Sequence, residues 1–208
     1  MPVLTDFIHL FVPGDDAADP VLALHGTGGD ERDLLPLVRM ISPRSPVLSP
    51  RGRVLENGMP RYFRRLAEGV FDQEDLRHRT SELGEFVSEA ADEYGFDRRR
   101  LVAIGYSNGA NIAASLLLSR DDALNGGVLL RPMVPFEPET LPDLSGKAIL
   151  LSAGEMDPII SPPLTTRLAE LLREGGADVT LSWVGTGHGL VQHEIEAAGV
   201  WFAERFHV

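Results

Sequence analysis

Short apolar runs alternate along the chain with longer segments in which apolar residues recur every three or four positions. Several runs, such as 101–104, are apolar at every position, which is typical of strands that helices cover on both faces. The pattern predicts an α/β fold with a mostly parallel central sheet of about seven strands. The predicted strands are residues 7–12, 21–24, 46–48, 101–104, 127–130, 148–151 and 179–184.

Helical spacing predicts five helices between these strands. Ser161-Pro162 opens the fourth helix, as an N-cap followed by proline in the first turn. The segment 50–79 has no clean period and contains the turn signal Asn57-Gly58, so most of it is expected to be an extended surface loop. The segments whose apolar residues share one helical face are 34–41, 83–94, 110–118, 164–172 and 191–206.

Composition and charge narrow the class of protein. The chain has 208 residues, of which 43% are hydrophobic and 24% charged, so one globular domain, 1–208, is expected. The formal net charge of −12 repels phosphate backbones and anionic membranes, so neither is expected as a partner. The absence of cysteine excludes disulfides, thiolate metal sites and a cysteine nucleophile. With no signal-peptide pattern and no apolar run near the ~20 residues of a membrane span, a cytoplasmic location is expected.

The strongest chemical signal is the pentapeptide Gly105-Tyr106-Ser107-Asn108-Gly109. A G-x-S-x-G pattern is common by itself, but here a buried strand leads in and an apolar helix leads out, which is the setting of a nucleophile elbow. Glycine on either side lets the strand and the helix approach closely. The motif therefore predicts Ser107 as a nucleophile, and the alternative is a tight glycine turn with an incidental serine.

A serine hydroxyl needs a base, and on such an elbow the acid and then the histidine follow the nucleophile along the chain. His188 lies in a glycine-rich loop between the last strand and the last helix, whereas its rival His193 lies inside the helical pattern. Asp157 follows the preceding strand and is the expected acid, with Glu155, two residues closer to the strand, as the alternative. The candidate triad is thus Ser107, Asp157 and His188.

A tetrahedral intermediate also needs N–H donors aimed at its oxyanion. One donor on such an elbow is the N–H of the residue after the nucleophile, here Asn108, and the other comes from an early strand–helix loop, here Thr27. An ordinary glycine turn or a phosphate nest is the alternative for residues 25–29. This run lacks both the lysine of a P-loop and the G-x-G-x-x-G spacing.

The chain resembles the phospholipase/carboxylesterase family, which includes acyl-protein thioesterases. The resemblance lies in the runs 24–29 and 105–109, in Asp157 and in Gly187-His188. The stretch 49–65 is more specifically similar to the bacterial hydroquinone-linked carboxylesterases. The resemblance covers nearly the whole chain. It implies the α/β-hydrolase fold and hydrolysis of carboxylic esters or thioesters with no cofactor and no metal. Dienelactone hydrolases are similar in layout, but they use a cysteine nucleophile.

The expected substrate is a small-molecule ester, because the 16 residues from 131 to 146 leave no room for a lid domain. The segments 131–136 and 50–79 are the expected walls of the site. The arginines of segment 50–79 could bind a substrate carboxylate. The alternative is that they pair on the surface with some of the 31 acidic residues. The candidate substrate-binding residues are Arg51, Arg61, Tyr62, Phe63 and Met133.

The sequence therefore predicts a serine carboxylesterase that acts through an acyl-enzyme. The alternatives are an acyl-protein thioesterase or lysophospholipase-like enzyme, a small peptidase or amidase with the same triad, and a non-catalytic ligand-binding homologue. The oligomeric state stays open, a homodimer included.

Overall fold

A computed structural model describes residues 4–208 of the chain, and within that range it contains eleven strands and five α-helices. The strands are β1 His9–Val12, β2 Val21–Leu24, β3 Val47–Pro50, β4 Val54–Glu56, β5 Met59–Arg61, β6 Arg65–Ala67, β7 Val70–Phe71, β8 Val102–Tyr106, β9 Gly126–Leu130, β10 Ala148–Gly154 and β11 Asp178–Val184. The helices are α1 Leu35–Ile41, α2 Gln73–Tyr94, α3 Asn108–Ser119, α4 Pro162–Glu174 and α5 Gln192–Ala203.

Seven of the strands form one sheet in the order β1-β3-β2-β8-β9-β10-β11. Only β1 runs antiparallel to its neighbour, and every other pair in this sheet is parallel, so the predicted mostly parallel sheet is confirmed. Parallel strands end at the same edge, and the loops that follow β2, β8, β10 and β11 therefore gather there.

Apolar side chains cover both faces of this sheet. Residues of α2, α3 and α4 pack on one face, and residues of α1 and α5 pack on the other. In β8, Ala103 points into the first cluster and Val102 and Ile104 into the second, and all three are fully buried. This explains why the strand is apolar at every position. Within residues 4–208, no helix combines the length and the apolarity needed to cross a bilayer.

The segment 50–79 differs from the expected surface loop. It folds into two hairpins, β4–β5 and β6–β7, and then into the first turns of α2. The predicted turn is present, since Asn57 and Gly58 both have positive φ angles, 52° and 81°, as a two-residue hairpin loop requires. Strands of two or three residues are too short to show a period, which is why the sequence pattern missed them.

Candidate active site

Ser107 lies between the last residue of β8 and the first residue of α3, with φ 52° and ψ −113°. This conformation is strained for a residue with a side chain, and the surroundings must enforce it. A Cβ atom at Gly109 would overlap the carbonyl oxygen of Leu24 in β2, so glycine is required where the helix meets the sheet. The N–H of Ser107 donates to the carbonyl of Leu130 at the end of β9, at 2.8 Å. The turn thus presents the serine hydroxyl at the carboxyl edge of the sheet.

His188 and Asp157 lie beside this hydroxyl in a hydrogen-bonded row. His188 Nε2 is 2.9 Å from Ser107 Oγ, and His188 Nδ1 is 2.7 Å from Asp157 Oδ2. The second carboxylate oxygen, Oδ1, accepts the N–H groups of Ile159 and Ile160 at 2.8 and 3.1 Å. An ionised carboxylate can only accept, so Nδ1 carries the imidazole proton and Nε2 is left free to accept from the serine.

The two rivals for these positions lie elsewhere. Glu155 is exposed to solvent, and its N–H donates to the carbonyl of Val184. His193 is exposed on α5 and lines a separate cavity against β10 and β11. The structure brings neither side chain to Ser107.

Thr27, in the loop after β2, and Asn108, at the start of α3, line the same cavity as Ser107. The first N–H groups of a helix have no partner within it, so the N–H of Asn108 is available to a ligand. The loop of Thr27 is braced by the hairpin β4–β5: Gly28 N–H donates to Pro60 O at 2.9 Å, and Arg61 Nη1 donates to Thr27 Oγ1 at 2.7 Å.

His25 anchors the other end of this loop and is almost fully buried. Its Nδ1–H donates to Gly26 O at 2.6 Å, and its Nε2 accepts the N–H of Gly52 at 2.9 Å. Burial lowers the pKa of His25, which is consistent with a neutral ring that both donates and accepts. Beside it, burial strongly raises the pKa of Tyr62, whose hydroxyl donates to Pro50 O at 2.8 Å.

The cavity next to Ser107 has a volume of about 320 Å³. Its wall combines apolar side chains with two arginines and one glutamate. Beyond the residues already described, the lining includes Arg61, Arg65, Glu68, Phe71, Met133, Ile159 and Ile160.

Two of the five predicted substrate contacts, Arg61 and Met133, line this cavity. Arg51 does not, because its Nε donates to Glu31 at 2.6 Å outside the cavity. Tyr62 and Phe63, which are buried, do not line the cavity, in contrast to the expectation that they form a wall. The ring of Tyr62 packs against His25, and the ring of Phe63 packs against Phe71, with centroid distances of 4.8 and 4.9 Å.

The predicted substrate contacts do not include Arg65, one of the arginines of segment 50–79, or Phe71, and the hairpin β6–β7 brings both to the cavity. They also omit Ile159 and Ile160, although two adjacent isoleucines just after the candidate acid are a signal that could have been used.

A model of the phospholipase/carboxylesterase family matches residues 11–203 of the chain. The chain belongs to this family. Among its relatives, the Bacillus subtilis (strain 168) protein MhqD, which bears the name of a hydrolase, is 48% identical over 196 residues, covering 94% of this chain and 98% of MhqD.

Two solved structures superpose closely on this chain. The Bacillus cereus carboxylesterase is 53% identical with a TM-score of 0.94, over 96% of this chain and 95% of the other. YahD, solved with malic acid, is 34% identical with a TM-score of 0.92, over 96% and 99% of the two chains. The resemblance seen in the sequence is confirmed, and so is the α/β-hydrolase fold. The protein is a carboxylic ester hydrolase by family.

Proposed function

We propose that the protein is a serine carboxylesterase that uses Ser107, His188 and Asp157 as its catalytic triad. The observation that carries the proposal is the hydrogen-bonded row Asp157–His188–Ser107, which opens on a cavity that Thr27 and Asn108 also line. The three residues follow each other along the chain in the order expected of such a triad, and they lie after strand ends. Their mutual distances also agree with it.

In the first half of the reaction, Ser107 Oγ attacks the ester carbonyl while its proton passes to His188 Nε2. The carbonyl oxygen becomes an oxyanion, to which the N–H groups of Thr27 and Asn108 donate. The intermediate collapses to an acyl-serine, and the alcohol leaves with the proton from His188.

In the second half, His188 takes a proton from water, and the hydroxide attacks the acyl-serine. The second tetrahedral intermediate collapses, the carboxylic acid leaves, and the proton returns from His188 to Ser107 Oγ. Asp157 keeps its charge throughout and stabilises the imidazolium that forms in each half.

The test of this mechanism is Ser107→Ala, with Ser81→Ala on the exposed face of α2 as the matched control. Ser107→Ala should abolish hydrolysis of p-nitrophenyl acetate and labelling by a fluorophosphonate, with unchanged thermal unfolding, and Ser81→Ala should change neither. Labelling of the Ser107→Ala protein at the wild-type rate would refute the assignment.

Small soluble esters are the proposed substrates. A volume of about 320 Å³ is at the low end for ligand cavities, and the chain between β9 and β10 contains no helix or strand that could act as a lid. A panel of p-nitrophenyl esters, thioesters and anilides of increasing acyl length separates this proposal from a thioesterase or an amidase with the same triad.

Within that class, we propose a preference for esters that carry a carboxylate. Arg61 and Arg65 both line the cavity and share one carboxylate, Glu56, at 3.4 and 2.9 Å. Burial is the main cause that lowers the pKa of Arg61, and the neighbouring Arg65 adds to it. The presence of malic acid, a dicarboxylic acid, in the similar structure of YahD supports the same preference.

The preference is measured as the ratio of kcat/KM for p-nitrophenyl hemisuccinate to that for p-nitrophenyl butyrate. Arg65→Gln should lower this ratio about tenfold, the effect of losing one charge-assisted contact. Arg64→Gln is the control, since the side chain of Arg64 is 60% exposed and pairs with Asp72 and Asp75 outside the cavity. A ratio that both variants leave unchanged would refute the carboxylate preference while leaving the esterase assignment intact.

A further inference from the structure

Arg131 is a fully buried cation that contacts the loop of His188, and none of the steps proposed above uses it. It directly follows β9, whose last residue, Leu130, accepts the N–H of Ser107. Arg131 also has a positive φ angle of 55°, which is strained for a side chain of this size and persists only where the surroundings enforce it.

The guanidinium group of Arg131 binds the backbone on both sides of His188. Its Nε donates to Gly187 O at 3.1 Å, and its Nη2 donates to Gly189 O at 2.7 Å. The carbonyl of His188 itself accepts the hydroxyl of Tyr106 at 3.1 Å. All three consecutive carbonyls of the loop 187–189 therefore accept hydrogen bonds from two side chains. These are Tyr106, at the end of β8, and Arg131, directly after β9.

Glu194 holds the guanidinium group in this orientation. Its carboxylate accepts Arg131 Nη1 and Nη2 at 2.8 and 2.7 Å, in a two-pronged pair in which both side chains are nearly inaccessible to solvent. The same carboxylate accepts the Ser152 hydroxyl and the N–H of Val191, both at 2.7 Å. Glu194 thus links Arg131 to β10 and to the start of α5.

A buried ion pair of this kind is weak grounds for stability, because apolar residues of similar volume often stabilise a core as well or better. Its geometry suits a positional role instead, since a planar guanidinium can bind two carbonyls and a carboxylate at once and an apolar side chain or a lysine cannot.

We propose that Arg131, oriented by Glu194, is a positioning residue that fixes the loop 187–189 and so keeps the His188 imidazole within reach of Ser107. The proposal rests on the esterase mechanism above. Arg131 acts only through His188 and contacts neither the substrate nor the reacting atoms.

The first experiment compares Arg131→Met and Arg131→Lys in the full chain, with p-nitrophenyl acetate as substrate. Arg131→Met should lower kcat about 100-fold, the scale expected when a catalytic group is misplaced by about 1 Å, and leave KM nearly unchanged. Arg131→Lys keeps the charge opposite Glu194 but loses the planar guanidinium. Its kcat should therefore be about tenfold below that of the wild type, which is higher than that of Arg131→Met. Arg131→Lys also serves as the test variant if Arg131→Met does not fold.

The second experiment repeats the better-folded substitution in a His188→Ala background. If Arg131 acts through His188, the substitution should have no further effect on the residual activity of His188→Ala. General damage to the fold would instead lower the activity in both backgrounds. Arg100→Met is the control, because Arg100 pairs with buried Asp19 at 2.7 Å, before β2 and at the opposite edge of the sheet. Its thermal unfolding should shift, but its kcat should not.

A wild-type kcat in a folded Arg131→Met or Arg131→Lys protein would overturn the proposal, as would equal losses with and without His188. The esterase assignment fails by a different result, namely full activity of Ser107→Ala, so the two failures are distinguishable.

Discussion

At the scale of single residues, the proposed chemistry depends on the hydrogen bonds of the Asp157 carboxylate. Each oxygen of the Asp157 carboxylate has its own task, since Oδ2 accepts from His188 and Oδ1 accepts the N–H groups of Ile159 and Ile160. The side-chain exposure of Asp157 is only 2%, so no solvent competes for those positions. The carboxylate can therefore set both the rotation of the imidazole and its tautomer.

Asp157→Asn keeps the shape of the group but removes its charge. An amide can still accept the two loop N–H groups with its oxygen, but it then presents an NH₂ group to His188 Nδ1, which favours the wrong tautomer. We expect kcat to fall by about 10⁴, as in other triads in which the acid becomes an amide. Steady-state kinetics near neutral pH measure this loss.

Glu155→Gln is the matched control, because it removes a carboxylate two residues away whose side chain is exposed. It should keep nearly full activity. A large loss in Glu155→Gln together with an active Asp157→Asn would mean that the acid has been placed two residues too far along the chain.

At the scale of elements, the sequence predicted the long, strongly patterned parts of the fold and missed the short ones. The unit of β8, Ser107 and α3 was predictable because a buried run, a glycine-flanked serine and an apolar helix follow each other directly. The hairpins β4–β5 and β6–β7 were not, since strands of two or three residues carry no period. Arg131 was expected in a wall of the site, but it is buried against Glu194, and a buried arginine cannot be told from a surface one until its partners are known.

The contact between α3 and β2 at Gly109 gives a prediction about the stability of this unit. In Gly109→Ala, the new methyl group would overlap the backbone of Leu24 and force the helix away from the sheet. We expect a loss of at least about 2 kcal/mol in the free energy of unfolding, within the range of overpacked cores, and a loss of activity as Ser107 moves. Urea denaturation and kinetics measure the two effects.

Gly84→Ala is the control, since Gly84 also lies buried in a helix, α2, but its new methyl group would meet Arg120 and Leu116 only at ordinary distances of 3.6 and 3.7 Å. This variant should gain about 0.5–1 kcal/mol, because alanine loses less conformational freedom in a helix than glycine does. Equal effects of the two substitutions would mean that the close approach at Gly109 does not matter.

At the scale of the whole molecule, stability depends on pH through buried groups whose pKa differs between the folded and the unfolded chain. Burial lowers the pKa of His25 from 6.5, so the unfolded chain binds a proton at this position before the folded one does. The contribution of His25 to stability is complete above about 6.5 and is lost as the pH falls below that value. Burial by itself would raise the pKa of Glu194, but hydrogen bonds from Arg131, Ser152 and Val191 outweigh it and lower the pKa, so its contribution is lost only below about 4.5.

The contribution of His25 therefore changes between pH 7 and pH 5, above the range in which that of Glu194 is lost. We expect the free energy of unfolding of the wild-type protein to fall across this window and to fall less in His25→Gln, in which an amide oxygen can still accept the N–H of Gly52. Urea denaturation at a series of pH values gives the two slopes. Parallel slopes would show that His25 is not responsible for the acid sensitivity.

The hairpin β6–β7 has a consequence for how this protein can diverge. It supplies Arg65 and Phe71 to the cavity wall, whereas the residues of the proposed chemistry follow β2, β8, β10 and β11. The other hairpin is tied to the Thr27 loop through Pro60 and Arg61, so changes there also disturb Thr27, a proposed oxyanion donor. Evolution, or an engineer exchanging residues 65–71 between relatives, can therefore alter which ester is accepted while the reaction itself is inherited unchanged.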